Sequence, residues 1–89
     1  MTEKRTIWKF PIEGMDPVLS MPESAEVVGF GQQDGGLVVW AIVDPEEFVR
    51  RRAFHVVGTG WDIDPGLTHR GMVQMPNGLV WHLLEEAKE

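Results

Sequence analysis

Four tryptophans in a chain of 89 residues each sit in a short apolar run: Ile7-Trp8-Lys9-Phe10, Val38-Val39-Trp40-Ala41-Ile42, Gly58-Thr59-Gly60-Trp61 and Leu79-Val80-Trp81-His82. Tryptophan, valine, isoleucine and phenylalanine suit a pleated, half-buried surface, and here they alternate with glycine, proline and Asp-Gly punctuation. The chain therefore reads as all-β: a small, strongly twisted antiparallel sheet or barrel of about six strands with one short helical turn.

Asp34-Gly35 supplies the positive-φ residues of a tight type I′ turn, so 25–33 and 36–44 are expected to pair as a hairpin. The run from Leu37 to Val43 is apolar at both parities. It needs cover on both faces, from a closed sheet or from a second subunit, and reads as the central strand. Because so small a domain buries only ~60–65% of its unfolded surface, that strand predicts a homo-oligomer. Residues 4–12 alternate as a first strand, which Pro11 places at an edge, and 18–21 form a brief second one stopped by Pro22. Asp44-Pro45-Glu46-Glu47 carries a helix-start signature, with an Asp cap, Pro at the first helical position and acids in the first turn, which predicts the short helical turn. Beyond Arg50 the alternation resumes, Arg52, Phe54 and Val56 against Ala53, His55 and Val57, until Gly58-Thr59-Gly60 interrupts it. Asn77-Gly78 marks a second hairpin, 67–75 with 78–84. The expectation is one β domain over 1–89, with 1–3 and 86–89 frayed.

Composition narrows the function. Eight Lys and Arg against fourteen Asp and Glu leave a net charge of −6, which repels a phosphate backbone, so nucleic acid is not an expected partner. Arg50-Arg51-Arg52, beside Glu46 and Glu47, reads as a solvated face rather than a phosphate clamp. The chain has no cysteine, which removes disulfides, thiol catalysis and thiolate zinc sites. No apolar run approaches the ~20 residues that span a bilayer, and no apolar segment follows the charged N-terminus. No membrane partner is expected, and the setting reads as cytoplasmic.

His55, His69 and His82 are assigned to three separate strands with no HxH or HxxxH spacing, so no metal and no cofactor are expected. Asp62 and Asp64 share a direction in an extended segment, but no acid follows at EF-hand spacing and turn chemistry accounts for them. No hydroxyl lies in a nucleophile-elbow pattern and no acid–base pair stands at a useful spacing. The chain is therefore expected not to be an enzyme, with no catalytic residue. Gly58-Thr59-Gly60-Trp61 remains as the expected ligand- or partner-binding site. Its glycines admit close backbone approach, and Trp61 is the tryptophan expected at the surface, whereas Trp8, Trp40 and Trp81 are expected in the core. Exposed tryptophan concentrates at interfaces. The bland reading of the same segment is a bend that closes a small sheet.

Ile7-Trp8-Lys9-Phe10-Pro11, Met21-Pro22 with Ala25-Glu26-Val27-Val28, Trp40-Ala41-Ile42-Val43-Asp44-Pro45, Phe54-His55-Val56-Val57-Gly58-Thr59-Gly60 and Gly78-Leu79-Val80-Trp81-His82 together resemble a family of small bacteriophage proteins, classed as a domain of unknown function. The resemblance spans nearly the whole chain. It departs at Trp61, where the family frequently has histidine after Gly-Thr-Gly, so no shared catalytic or metal-binding histidine is carried over. It implies a viral origin and the host cytoplasm, and supplies no activity. The expected function is a non-enzymatic bacteriophage accessory protein that binds a host or viral protein. The alternatives are a small-ligand, nucleotide-like binder, or a virion structural or decoration protein.

Overall fold

A computed structural model describes residues 4–87. The strands run β1 (Thr6–Ile12), β2 (Val18–Pro22), β3 (Glu26–Gln33), β4 (Gly36–Val43), β5 (Val49–Gly58), β6 (Thr68–Gln74) and β7 (Val80–Glu85). They form two antiparallel sheets, β1-β4-β3 and β2-β5-β7-β6. Seven strands thus stand where about six were expected, and neither sheet closes into a barrel.

Local chemistry sets the turns. Asp34 and Gly35 have φ of 54° and 83°, so the β3–β4 connection is the type I′ turn that matches strand twist. The β6–β7 connection is one residue longer. Gly78 N–H donates to Met75 O at 2.9 Å, Met75 N–H to Leu79 O at 2.7 Å, and only Gly78 takes positive φ, at 92°. That is a type I turn closed by a glycine bulge. Gly36 is a ladder residue while Gly78 belongs to its loop, so Gly36-Leu37-Val38 and Gly78-Leu79-Val80, identical in sequence, play different roles.

The expected helical turn is not formed. Glu46 N–H does donate to Asp44 Oδ1 at 3.0 Å, and Glu47 N–H to Asp44 O at 3.2 Å. However, β5 begins at Val49, which leaves room for one turn and none for the costly nucleus of a helix. Glu47 instead accepts from the N–H and hydroxyl of Ser24 at 2.8 and 2.7 Å, which holds its carboxyl below the usual range. Among the described residues no helix is long and apolar enough to cross a membrane.

The two sheets bury one core between them, with Val39, Ala41 and Val43 of β4 and Phe30 of β3 facing Met21, Phe54, Val56 and Leu83. A bulge between Val27 and Gly29 allows Val27 and Phe30, an odd number of positions apart, both to point inward. On the other face of β4, the Trp40 ring lies across β3, where a Cβ on Gly31 would stand 3.0 Å from it and one on Gly29 3.5 Å. The Trp40 ring thus covers the glycines of β3 on that outer face, where Trp40 itself and Ile42 are half-buried. Trp40 is half-buried on the outer face of β4, Trp81 is half-buried and packs against the core as expected, and Trp8 is exposed rather than core.

One polar group sits deep between the sheets. Arg52, expected on a solvated face, is buried and bonds Glu85 through Nε to Oε2 at 2.5 Å and Nη2 to Oε1 at 2.8 Å, while its Nη1 donates to Ala25 O at 2.6 Å. Arg51 alone of the triplet is exposed. Arg52 alternates with Phe54 and Val56 on the inward face, so strand parity rather than composition decided its fate. Glu86 continues the β5 ladder, its N–H donating to Ala53 O at 3.0 Å. The fraying expected at 1–3 and at 88–89 lies outside the described residues.

Candidate functional site

Gly58-Thr59-Gly60-Trp61 ends β5 in a tight turn. Trp61 N–H donates to Gly58 O at 3.1 Å, and Gly60 at the third position takes φ of 91°, which a type II turn requires. The turn aims Trp61 back over the end of the four-stranded sheet. There it packs on the backbone of Gly58, where a Cβ would come within 3.0 Å of the indole, and meets Trp81 edge-on with ring centroids 5.7 Å apart. Trp61 remains 55% exposed. It is an aromatic group held from beneath and open above.

Trp61 lines three open clefts. One of about 350 Å³ is apolar and runs along Leu79, Val80 and Trp81. The second, about 190 Å³, has Ile63 and Leu84 at its walls and Thr59, His82 and His69 among its lining groups. The third, about 260 Å³, is bordered by Met15, Asp16, His55, Asp62, Ile63 and Asp64. Among the described residues no Lys or Arg lines any of the three.

Strand register builds the polar part of this surface. His55, Leu84 and His69 lie opposite one another on β5, β7 and β6, and Val57, His82 and Met72 form the next row. The β6–β7 register shifts between His69 and Gly71. Without that bulge His69 would oppose Glu85 on the inward face, since one residue of slip exchanges the faces. With it, His69 reaches the outer face, and Arg70 is left to donate from Nε to Glu85 Oε1 at 2.8 Å. His69 Nε2 then lies 2.9 Å from His82 Nδ1, and His82 Nε2 lies 2.9 Å from Thr59 Oγ1. The row is satisfied when Thr59 O–H donates to His82 Nε2 and His82 Nδ1–H donates to His69 Nε2. Each of the three thereby fixes its neighbour's orientation. No carboxylate is paired with the row among the described residues.

His55 stands apart from that row. Its Nδ1 bonds Asp16 Oδ1 at 2.8 Å and its Nε2 bonds Glu86 Oε2 at 2.7 Å. The hydrogen bond to Asp16, then that to Glu86, push its pKa above the ordinary value against a smaller effect of burial. Among the described residues no group of three or more His, Asp or Glu side chains is placed to hold a metal ion.

The four expected site residues are therefore contiguous, and the structure adds His82, His69 and Trp81 to them. The Trp-His pair of β7 was visible in the sequence, but its approach to the turn depends on β5–β7 pairing. The placement of His69 depends on a bulge with no glycine-in-turn signal of its own.

Fold and site define a two-sheet all-β module that presents a tryptophan turn at one end of its larger sheet. The chain belongs to the family described as Domain of unknown function (DUF7352), whose profile matches residues 3–89. No curated protein and no solved structure matches the chain.

Proposed function

We propose that this chain is a non-enzymatic bacteriophage accessory protein that works in the host cytoplasm by binding a host or viral protein, and that Gly58-Thr59-Gly60-Trp61 is its contact surface. One observation carries the reading: Trp61 is held in place by Gly58 and Trp81, is 55% exposed, and borders three open clefts. A large, rigid aromatic with shallow apolar ground on several sides is the composition of an interface anchor, which loses little side-chain entropy on binding. The clefts are too open to bury most of a small ligand's surface. A nucleotide would also meet no cation from the described residues in them, since neither Lys nor Arg is among the described lining residues. The bacteriophage setting rests on the resemblance carried by the segments from Ile7-Trp8 to Trp81-His82.

The test compares affinity-tagged wild type with Trp61→Ala after both are shown to fold alike by circular dichroism and thermal unfolding. A specific protein should co-purify from infected cells with wild type and be depleted at least about tenfold with the variant, the loss expected of an interface hot spot. Equal recovery by both would overturn the assignment of the surface. Equal incorporation of both into purified phage particles would favour the virion role instead.

A further inference from the structure

We infer that the partner segment received at Trp61 is cationic, an arginine-bearing stretch of protein whose guanidinium lies on the exposed indole and pairs with Asp62 and Asp64. This rests on the Trp61 surface being the partner site. The cleft beside that tryptophan is lined by both apolar and acidic side chains, Met15, Ile63 and Leu67 alongside Asp16, Asp62 and Asp64. Asp16 is occupied by His55. Asp62 and Asp64 line the same cleft as Trp61 and have no side-chain hydrogen bond or ion pair among the described residues.

The type of cation follows from the geometry. A hard metal ion needs oxygen ligands converging at about 2.3–2.6 Å, and among the described residues no three acidic or histidine groups are so placed. Guanidinium is broad, planar and weakly hydrated; it stacks on an indole face while its N–H fork reaches carboxylates beside the ring. The propylene stem of arginine suits apolar side chains such as Met15 and Ile63, both exposed in the free protein. Lysine, a compact and strongly hydrated point charge, gains less from the same surface. With a net charge of −6, the chain also draws a basic partner at long range and turns away an acidic one.

The first probe is a blocked peptide of alternating glycine and arginine, titrated at low salt against the isotopically labelled protein, with its neutral citrulline counterpart as control. The arginine peptide should shift the amide and indole resonances of Trp61 and its neighbours saturably. Trp61→Ala should weaken it about tenfold, from loss of the indole contact and its apolar burial. Asp62→Asn combined with Asp64→Asn should weaken it about fivefold. Glu23→Gln combined with Glu46→Gln removes the same charge elsewhere and should leave affinity within about twofold. Equal binding of the citrulline peptide, or equal losses in the two double variants, would overturn the inference. The co-purification assay separates the two proposals. A partner lost with Trp61→Ala but fully retained by Asp62→Asn/Asp64→Asn would refute the cationic segment and leave the binding surface standing. A partner retained by both would refute both.

Discussion

Replacing Arg52 by methionine probes the buried charged cluster of the four-stranded sheet, which also holds the Ala25 carbonyl just ahead of β3. Methionine keeps much of the aliphatic stem, so the loss is of charge and hydrogen bonds more than of volume. Two bonds to Glu85, of 2.5 and 2.8 Å, and one to Ala25 O, of 2.6 Å, disappear. Glu85, with its side chain only 4% exposed, keeps Arg70 at 2.8 Å, but Arg70 is 39% exposed and partly screened. Breaking a buried pair costs ~3–5 kcal/mol, and the surviving Arg70 contact places this case near the lower end. The orphaned Ala25 carbonyl adds ~1 kcal/mol. The sum, about 4 kcal/mol, is a large part of the ~4–13 kcal/mol that ~0.05–0.15 kcal/mol per residue gives a chain of 89 residues. With a urea m-value near ~2 kcal/mol/M, the midpoint should fall by about 2 M. Adding Glu85→Leu should recover most of the loss, because an apolar replacement of both partners leaves no buried charge, and Arg70 can turn to solvent. A midpoint shift below about 0.5 M, or a double variant no more stable than Arg52→Met, would refute the reasoning.

Titration of His55 should show in stability. Its folded pKa is raised by Asp16 and Glu86, so its contribution is full below the unfolded value near 6.5 and is lost as pH rises through the higher folded value. Urea titrations of wild type and His55→Asn should therefore differ most at about pH 5.5 and converge at about pH 9; a constant difference would contradict the clamp. The Glu85 carboxyl is pushed up by burial, but its bonds to Arg52 and Arg70 outweigh this and hold it below its ordinary value. Its contribution is present above the unfolded value and fades as pH falls through the folded one, so Glu85→Gln should narrow its stability gap to wild type in acid. Gly71→Ala would set a Cβ 3.2 Å from Phe30 Cβ, where β6 meets β3. Such overpacking should cost ~1–3 kcal/mol in chemical denaturation, and an unchanged midpoint would show that the sheets yield there. Gly58→Ala would press on the Trp61 indole at 3.0 Å; the Trp61 indole resonance should move and partner binding should fall more than stability does, whereas an unmoved resonance would mean that Gly58 does not seat the ring.

The sequence carried the strands well because its signals there are local. Alternation located β1 and β5, Asp34-Gly35 set one hairpin, and Pro11 marked β1 as an edge strand, which it is. The helix signature at Asp44-Pro45 misled because its cap bond also serves a single turn, and the distance to β5 decided between them. Trp8 failed as a core residue although it shares a strand face with Phe10 and Ile12, because the core reaches only the Ile12 end of β1. The turn at Gly58–Trp61 and its exposed tryptophan were legible. The Thr59–His82–His69 row and the Arg52–Glu85–Arg70 cluster were not, since Thr59–His82 and Arg52–Glu85 depend on β5–β7 pairing, and His69 and Arg70 join them only through a one-residue shift in β6 that exchanges their faces. A bulge of that kind has no strong local signature when its residues are His-Arg-Gly within an otherwise regular strand.

Site-specific photo-crosslinking tests the central claim, that the protein meets its partner at the Trp61 surface, most directly. A benzophenone side chain is placed at Leu79, in the apolar cleft beside Trp61, or at Phe48, which is 87% exposed before the far end of β5 and about 30 Å away along that strand. After irradiation in infected-cell extract, the account predicts one discrete protein adduct from position 79, absent when Trp61→Ala is combined with it, and none from position 48. The same adduct from position 48 alone, or one from position 79 that persists without the tryptophan, would contradict it.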